Sequence, residues 1–201
     1  MYKRQTEAFF PDENIKKIPF RIVTSASADV PLKGLDYLLE AFSEVIKIYP
    51  DSTLQIIGSS KQGGHTSRKI NDLNIKEKVQ FNNDLTFKEV RDLYCSADVV
   101  VIPSLYEGFG FAIGEAMACR VPVITTSGGA IPEVIGDCGI LVSPGNSKEL
   151  EEAMLKLLPD EDQKSSLAEK GFNRIIEHLQ WEKVAKLMTE SYETEINRMI
   201  Y

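Results

Sequence analysis

Residues 98–118 read DVVVIPSLYEGFGFAIGEAMA, and this stretch decides the fold. Its first part, Asp98–Pro103, is almost continuously apolar, which is typical of a central strand that is covered on both faces. Two glycines, Gly108 and Gly110, then introduce a segment from Phe111 to Cys119 with the apolar spacing of a helix. A buried strand, a glycine-containing loop and a helix in this order form the unit from which parallel sheets are built.

The same alternation of short β-branched runs and longer amphipathic segments extends along most of the chain. The predicted strands are Phe20–Thr24, Thr53–Ile57, Lys78–Phe81, Asp98–Pro103, Val121–Thr125 and Gly139–Val142. The predicted helices include Lys33–Ile48, Phe87–Cys95, Phe111–Cys119 and Ile131–Ile135, followed without further strands by Lys148–Leu158, Asp160–Leu179 and Trp181–Ile200. Repeated βα units predict an α/β fold, a Rossmann-like doubly wound parallel sheet with a helical C-terminal extension. We expect a linker or truncated start at 1–19, one domain over 20–179 and a C-terminal helix over 180–201.

The composition limits the class of protein. The 201 residues are 43% hydrophobic and 26% charged, which is close to the globular average and excludes an intrinsically disordered chain. Lys and Arg number 23 against 30 Asp and Glu, so the net charge of −7 argues against nucleic acid as a partner. No apolar run approaches the roughly 18 residues that a membrane span requires. Cys95, Cys119 and Cys138 lack metal-ligand spacing and lie in apolar stretches, which predicts small buried side chains in a reducing cytoplasm.

Ligands of such sheets bind beyond the carboxyl ends of the strands, so the loops there hold the candidate site residues. After the most apolar strand comes Glu107 and, eight positions later within the helix, Glu115. Because no His or Ser suited to hydrolysis stands near them, the two carboxylates suit hydrogen bonds to sugar or ribose hydroxyls. Gly108 and Gly110 allow backbone N–H groups to approach a ligand closely. The alternative leaves Glu107 as an electrostatic cap of the helix and Glu115 as a solvated side chain.

The loop after the first strand, residues 25–34, is a second candidate site. Small hydroxyl residues, Ser27 among them, precede Lys33 at the entrance of a helix, and this arrangement suits a phosphate group. An ordinary turn with a surface lysine is the alternative. The segment Ser127–Glu133 is interpreted as a tight turn, and the loop after Ile57 has neither the P-loop spacing nor the dinucleotide fingerprint.

Taken together, these stretches resemble the C-terminal domain of a retaining glycosyltransferase of family 4, the glycosyl transferases group 1, which has a GT-B fold. The resemblance extends from about Phe20 to Tyr192, and its strongest marker is an E-x7-E motif from Glu107 to Glu115. The supporting markers, in the expected order, are Leu32–Leu35, Leu93–Asp98, Pro122–Ile124, Gly128–Val134 and Gly139–Val142.

The resemblance implies a donor site for a nucleoside-diphosphate sugar, with no metal ion and no further cofactor. It implies that Glu107 is the catalytic residue, in contact with the donor sugar next to the reacting carbon. By the same resemblance Glu115 binds the ribose and Lys33 binds the diphosphate. The other implied donor-binding residues are Ser27 in the diphosphate loop, Leu85 near the base, and Gly108, Phe109 and Gly110, whose backbone holds the sugar and diphosphate.

The sequence departs from the family pattern in three places. The family usually has an arginine a few residues before Lys33, whereas residues 25–29 contain none, so hydroxyl and backbone groups would have to replace it. Arg120 stands where a glycine is usual, and Ala112 stands where a proline is usual. The first departure bears on diphosphate affinity, and we expect the other two to be tolerated.

The chain also lacks the N-terminal half that supplies the acceptor site in this fold, so we expect it to be a fragment. The acceptor, a glycan or a lipid, and any contact with a membrane surface would then depend on that half. The last helix resembles the segment that braces it, which predicts a partly exposed apolar face made of Val184, Leu187, Met188 and Tyr192. A degenerate nucleotide-binding module without transfer activity and a nucleotide-sugar epimerase are the alternatives.

Overall fold

The computed structural model describes residues 8–59, 61–178 and 181–200. Its strands are β1 (Arg21–Ser25), β2 (Thr53–Ile57), β3 (Val79–Asn82), β4 (Val99–Ile102), β5 (Val123–Thr126) and β6 (Ile140–Val142). Its helices are α1 (Leu35–Ile48), α2 (His65–Asp72), α3 (Phe87–Cys95), α4 (Phe111–Ala118), α5 (Ile131–Ile135), α6 (Ser147–Leu157), α7 (Glu161–His178) and α8 (Trp181–Ile200). The strands form one sheet in the order β3-β2-β1-β4-β5-β6, and all neighbours are parallel. The predicted Rossmann-like α/β fold is confirmed.

Strand β4 lies inside the sheet and is buried along its whole length. Val99 and Val101 belong to the core formed with α1 and α6, whereas Val100 and Ile102 belong to the core on the other face, formed with α3, α4 and α5. Burial of each of these side chains stabilises the fold by about 1.5–3 kcal/mol. Helices on both faces therefore account for the continuous apolar run in the sequence.

Several predicted elements begin later than the sequence pattern indicates, and backbone conformation explains two of them, β1 and α1. Phe20 has a left-handed φ of 59° and donates its N–H to Asp98 at 2.9 Å, so β1 begins one residue further on. Gly34 has a φ of 64° after a short 3-10 turn, so α1 begins at Leu35 instead of Lys33. Left-handed residues interrupt regular hydrogen bonding, and they therefore set these boundaries.

Strand β5 begins at Val123, although the sequence pattern includes Val121. Pro122 has no N–H to donate, but its carbonyl accepts a hydrogen bond from the N–H of Val100 at 3.0 Å. The regular ladder with β4 accordingly starts one residue after the proline.

Arg120, at the turn before β5, occupies the position where the family usually has glycine. Its φ is 55°, which accounts for the usual glycine. The guanidinium lies over the ring of Phe172 at 4.4 Å and pairs with Glu169 at 3.2 Å. The side chain of Arg120 thus contacts α7 while its backbone keeps the left-handed conformation.

The described residues that precede β1 pack on the domain. Phe9 is only 4% exposed, and its ring centroid lies 6.2 Å from that of Tyr94 on α3. The guanidinium of Arg91 lies 4.4 Å from the centre of the Phe10 ring. This segment therefore covers one face of α3.

The last helix extends from the body of the domain. Met188 is 49% exposed and Tyr192 is 62% exposed, as the apolar face predicted from the sequence requires. The side chains of Val184 and Leu187, and the predicted helix end at Leu179, lie outside the described residues. In the part of the chain that the structure describes, no helix combines the length and apolar character needed to cross a membrane.

Candidate donor-binding site

A cleft of about 300 Å³ opens at the carboxyl ends of β1 and β4. The order of strands along the sheet reverses between these two neighbours, and such a switch point is where open α/β sheets bind ligands. The lining consists of Ser25, Ala26, Ser27, Lys33, Ile57, Glu107, Phe111, Ala112 and Glu115. The fold thus brings four of the predicted site residues, Ser27, Lys33, Glu107 and Glu115, to one cavity.

Lys33 and Glu107 form an ion pair in the cleft, with 2.5 Å between the lysine Nζ and the carboxylate Oε1. The hydroxyl of Ser104 donates to the same oxygen at 2.9 Å. The lysine side chain is 40% exposed and the glutamate 18%, so a ligand can reach both. Glu107 is therefore held by a cation and a hydroxyl. The sequence pattern does not indicate Ser104, whose only signal is its position just after the buried strand.

The loop that the sequence presents as a tight turn fixes the backbone of Glu107. Glu107 and Gly129 form an isolated parallel bridge, and the N–H of Ala130 donates to the Glu107 carbonyl at 2.9 Å. Gly129 has a φ of 69°, and a Cβ there would overlap the Glu107 carbonyl oxygen. A glycine is required at this position, and the adjacent pair Gly128 and Gly129 is the signal in the sequence that could have indicated it.

A direct connection between the loops after β1 and β4 positions Lys33. Gly34 follows the lysine in a left-handed conformation, and a Cβ on it would overlap the carbonyl oxygen of Pro103. The N–H of Leu105 donates to the carbonyl of Leu32 at 2.8 Å. These two contacts hold the ammonium group at the end of β4, where the carboxylate stands.

Glu115 is the fifth residue of α4 and lies on another side of the same cleft. Burial alone raises the pKa of its carboxyl from the ordinary 4.5 to about 7, so no cation among the described residues offsets the cost of ionising it. Tyr94 is completely buried nearby, and burial, with Glu115 next in effect, raises the pKa of its hydroxyl well above the usual value. A carboxyl in such surroundings is suited to hydrogen bonds with the hydroxyls of a ligand.

The sequence model of the family described as glycosyl transferases group 1 matches residues 19–160. The chain belongs to this family. It is 36% identical over 197 residues to an MMP alpha-(1->4)-mannosyltransferase of Mycolicibacterium hassiacum. The aligned region covers 96% of this chain and 47% of the relative. The chain thus spans about half the length of the curated relatives that it matches.

Solved structures agree with this group 1 glycosyltransferase assignment. The C-terminal domain of a group 1 family protein, LpcC of Francisella tularensis, has a TM-score of 0.76 and 26% identity, and the match covers 88% of this chain and 98% of that one. Anabaena HepE in complex with UDP-glucose has a TM-score of 0.77 and 22% identity, covering 88% of this chain and 49% of that one. The fold of this chain is that of the C-terminal domain of a GT-B glycosyltransferase.

The other predicted donor residues of this group 1 domain lie outside the lining of the cleft. Gly110, with a φ of 76°, directly precedes α4, and the ring of Phe109 packs on that of Phe111, with 4.4 Å between the centroids. No atom lies within 4 Å of the place that a Cβ would take on Gly108, so its backbone is open to approach. Leu85 follows β3, which is separated from β1 by β2, and is partly buried. Its contact with the base stays a prediction.

The loop after β1 contains no cation before Lys33 in this group 1 domain. Asp29 instead accepts hydrogen bonds from the N–H and the hydroxyl of Thr66 at 2.9 and 3.0 Å, which joins this loop to α2. Among the described residues, no group of three or more His, Cys, Asp or Glu side chains is arranged to hold a metal ion. The expected absence of a metal from the donor site stays a prediction.

Proposed function

We propose that this chain is the donor-binding half of a retaining family 4 glycosyltransferase that uses a nucleoside-diphosphate sugar. The observation that carries the proposal is the convergence of Lys33, Glu107 and Glu115 on one cleft at the switch point of the sheet. A cation with two hydrogen-bonding carboxylates matches the diphosphate, sugar and ribose of such a donor. The UDP-glucose complex of HepE and the mannosyltransferase relative support this substrate class.

The ion pair between Lys33 and Glu107 is the part of the site that the donor rearranges. A diphosphate carries more negative charge than a carboxylate, so it competes for the exposed ammonium group. Glu107 then turns its carboxylate to the sugar hydroxyls, while the bridge to Gly129 keeps its backbone in place. Binding thus exchanges an internal ion pair for contacts to both parts of the donor.

The chemical step consists of departure of the nucleoside diphosphate and attack by the acceptor from the same face of the sugar. Negative charge develops on the leaving diphosphate, where Lys33 and the backbone N–H groups at the start of α4 stabilise it. Glu107 lies beside the reacting carbon, where positive charge develops, so its carboxylate stabilises the transition state more than the ground state.

The acceptor is a glycan or a lipid that a further, N-terminal domain binds. In this arrangement residues 20–179 form the donor domain, and helix α8 braces the other domain through the face that contains Met188 and Tyr192. Any contact with a membrane surface belongs to that other domain, and nucleic acid is not a partner. The enzyme acts in the cytoplasm, where nucleotide sugars are the donors.

A degenerate nucleotide-binding module is the second candidate, and one observation favours it. The loop after β1 has no arginine to share the diphosphate with Lys33, and Asp29 in that loop is engaged with Thr66. Turnover separates the two candidates. A longer protein that includes the acceptor domain would transfer sugar under the first proposal, whereas it would only bind nucleotide under the second.

Titration of three variants tests the donor site. Glu115→Gln should weaken the nucleoside, the nucleoside diphosphate and the nucleotide sugar by roughly ten- to hundred-fold, because a hydrogen bond to a charged group contributes about 1.5–3 kcal/mol. Glu107→Gln should not weaken the nucleoside diphosphate, because it removes the carboxylate that competes for Lys33, and it should lower turnover of the longer protein. Lys33→Ala should weaken only ligands that carry the diphosphate.

Calorimetry measures the affinities, and circular dichroism verifies folding. Glu44→Gln and Lys47→Ala are matched controls, since these residues form an exposed ion pair on α1 away from the cleft. If both cleft glutamate variants bind all ligands like the parent, the carboxylates are structural and the proposed donor site is wrong.

A further inference from the structure

Two cysteines from different helices meet on the face of the sheet formed by α3 and α4. Cys95 is the last residue of α3, and Cys119 directly follows the last residue of α4. Both side chains are buried and line the same cavity, so the two thiols are neighbours. The third cysteine, Cys138, lies before β6, where its thiol donates to the carboxylate of Asp137 at 3.5 Å. All three are unpaired thiols.

The pair of thiols borders a cavity of about 330 Å³ that is separate from the donor cleft. The segment before β1 forms one wall, and there the Phe10 carbonyl accepts a hydrogen bond from the Cys95 thiol at 3.5 Å. Ser165 and Ala168 of α7 also line the cavity. Cys95 is only 5% exposed, but it lines this cavity, so the cavity is the route by which a small reagent would approach the thiol.

The two thiols are not equivalent. The pKa of the Cys95 thiol is lowered to about 7, mainly by the interaction with Cys119. The backbone N–H of Asp12 and the guanidinium of Arg91 contribute to this lowering, whereas burial and the Asp12 carboxylate oppose it. Lys17 also faces Cys95 from the segment before β1. For Cys119, the interaction with Cys95 and burial raise the pKa of the thiol far above the usual range. Cys95 is therefore the thiolate that reacts first, and Cys119 keeps its proton.

We infer that Cys95 and Cys119 form a modification site at which a small-molecule disulfide produces a reversible intramolecular disulfide. The Cys95 thiolate attacks one sulfur of the reagent, and the S–S bond of the reagent breaks to release one thiolate. Cys119 then loses its proton and attacks the Cys95 sulfur, which releases the second reagent thiolate. Two protein thiols and one reagent disulfide become one protein disulfide and two reagent thiols, so the cysteine pair is oxidised and the reagent reduced.

The test uses 2-hydroxyethyl disulfide, which is small and uncharged, on the folded protein at neutral pH. The expected product has lost the mass of two hydrogen atoms, and peptide mapping joins the peptides of Cys95 and Cys119 while Cys138 stays free. Dithiothreitol should restore all thiols. Cys138→Ser is the matched control, because it removes the third buried thiol and should give the same product at the same rate.

The variant Cys119→Ser separates the two steps. Without the second thiol, Cys95 should stop at the mixed disulfide, so the protein gains the mass of half the reagent less one hydrogen atom. Absence of a Cys95–Cys119 linkage in the folded parent protein, or modification of Cys138 before Cys95, overturns the inference. The parent protein decides this by mapping alone, so the conclusion does not depend on the folding of a variant.

Discussion

At the scale of single residues, Glu115 combines a functional position with a cost in stability. Its carboxyl faces the cleft from α4, and burial raises its pKa to about 7. In the unfolded chain the same carboxyl titrates near 4.5. Ionisation of Glu115 therefore costs more free energy in the folded state than in the unfolded state, and the side chain lowers stability at every pH at which it is charged. Retention of such a group is typical of a ligand-binding site.

This pKa difference predicts how stability changes with pH. Below pH 4.5 the carboxyl is protonated in both states and contributes nothing, whereas between pH 4.5 and 7 stability falls as pH rises, and above pH 7 the loss is complete. A rise in pKa from 4.5 to about 7 corresponds to at most about 3 kcal/mol. Glu115→Gln should therefore match the parent near pH 4 and be more stable by about 2–3 kcal/mol at pH 8.

Urea denaturation of the two proteins at pH 4, 6 and 8 measures this difference. Glu193→Gln on the exposed surface of α8 is the control and should show no comparable trend. A constant difference between Glu115→Gln and the parent across this pH range would contradict the raised pKa.

At the scale of elements, the loops after β1, β4 and β5 contact one another at the carboxyl end of β4. The loop after β1 meets this end at Gly34, and the loop after β5 meets it at Gly129. Both glycines adopt left-handed backbone conformations against a carbonyl oxygen. The positions of Lys33 and Glu107 therefore follow from backbone packing as well as from their own ion pair.

Gly129→Ala tests this packing, and Gly63→Ala is its matched control. Gly63 has a similar φ of 71°, but no atom lies within 4 Å of the place that its Cβ would take. Each alanine should cost about 1–2 kcal/mol for the left-handed conformation, and Gly129→Ala should cost more because it also displaces the Glu107 carbonyl. Thermal unfolding measures the stabilities, and nucleotide-sugar titration should show weakened binding for Gly129→Ala alone. Equal effects of the two substitutions would show that the bridge to Glu107 is dispensable.

The sequence predicts most elements because their cause is local. Continuous apolar residues in β4 and helical spacing in α1 and α4 follow directly from burial on one or two faces. Glu107 and Lys33 are also predictable, since they follow strands whose carboxyl ends share one edge. The start of α1 at Leu35 cannot be predicted in this way, because it depends on the backbone conformation of Gly34, which the contact with Pro103 requires.

The other features that the sequence does not predict depend on contacts between segments that are far apart in the chain. The bridge between Glu107 and Gly129 depends on the pairing of β4 with β5, and a tight turn has the same local pattern. The burial of Cys95 and Cys119 is predicted from their apolar surroundings and is confirmed. Their position at one cavity requires the packing of α3 on α4, which periodicity does not specify.

At the scale of the whole molecule, one buried ion pair connects parts of the chain that are far apart in sequence. Lys164 of α7 is 4% exposed, and its ammonium group donates to Asp98 at 2.7 Å and to the Leu158 carbonyl at 2.9 Å. Asp98, just before β4, also accepts the N–H of Phe20 at the start of β1. The amino ends of the two central strands are thus joined to the C-terminal helices, on the edge of the sheet opposite the donor cleft.

Lys164→Met should destabilise the domain by about 3–5 kcal/mol, because it leaves the buried Asp98 carboxylate without the cation that is hydrogen-bonded to it. Lys148→Met is the control, since Lys148 is 67% exposed in its pair with Glu151 and such surface pairs contribute about 0–1 kcal/mol. Guanidinium denaturation measures both variants. The double variant Lys164→Met with Asp98→Asn should recover part of the loss, because the uncompensated charge is then removed. If Lys164→Met lowers the free energy of unfolding by less than about 1 kcal/mol, the ion pair contributes little, and apolar packing alone holds the C-terminal helices to the strands.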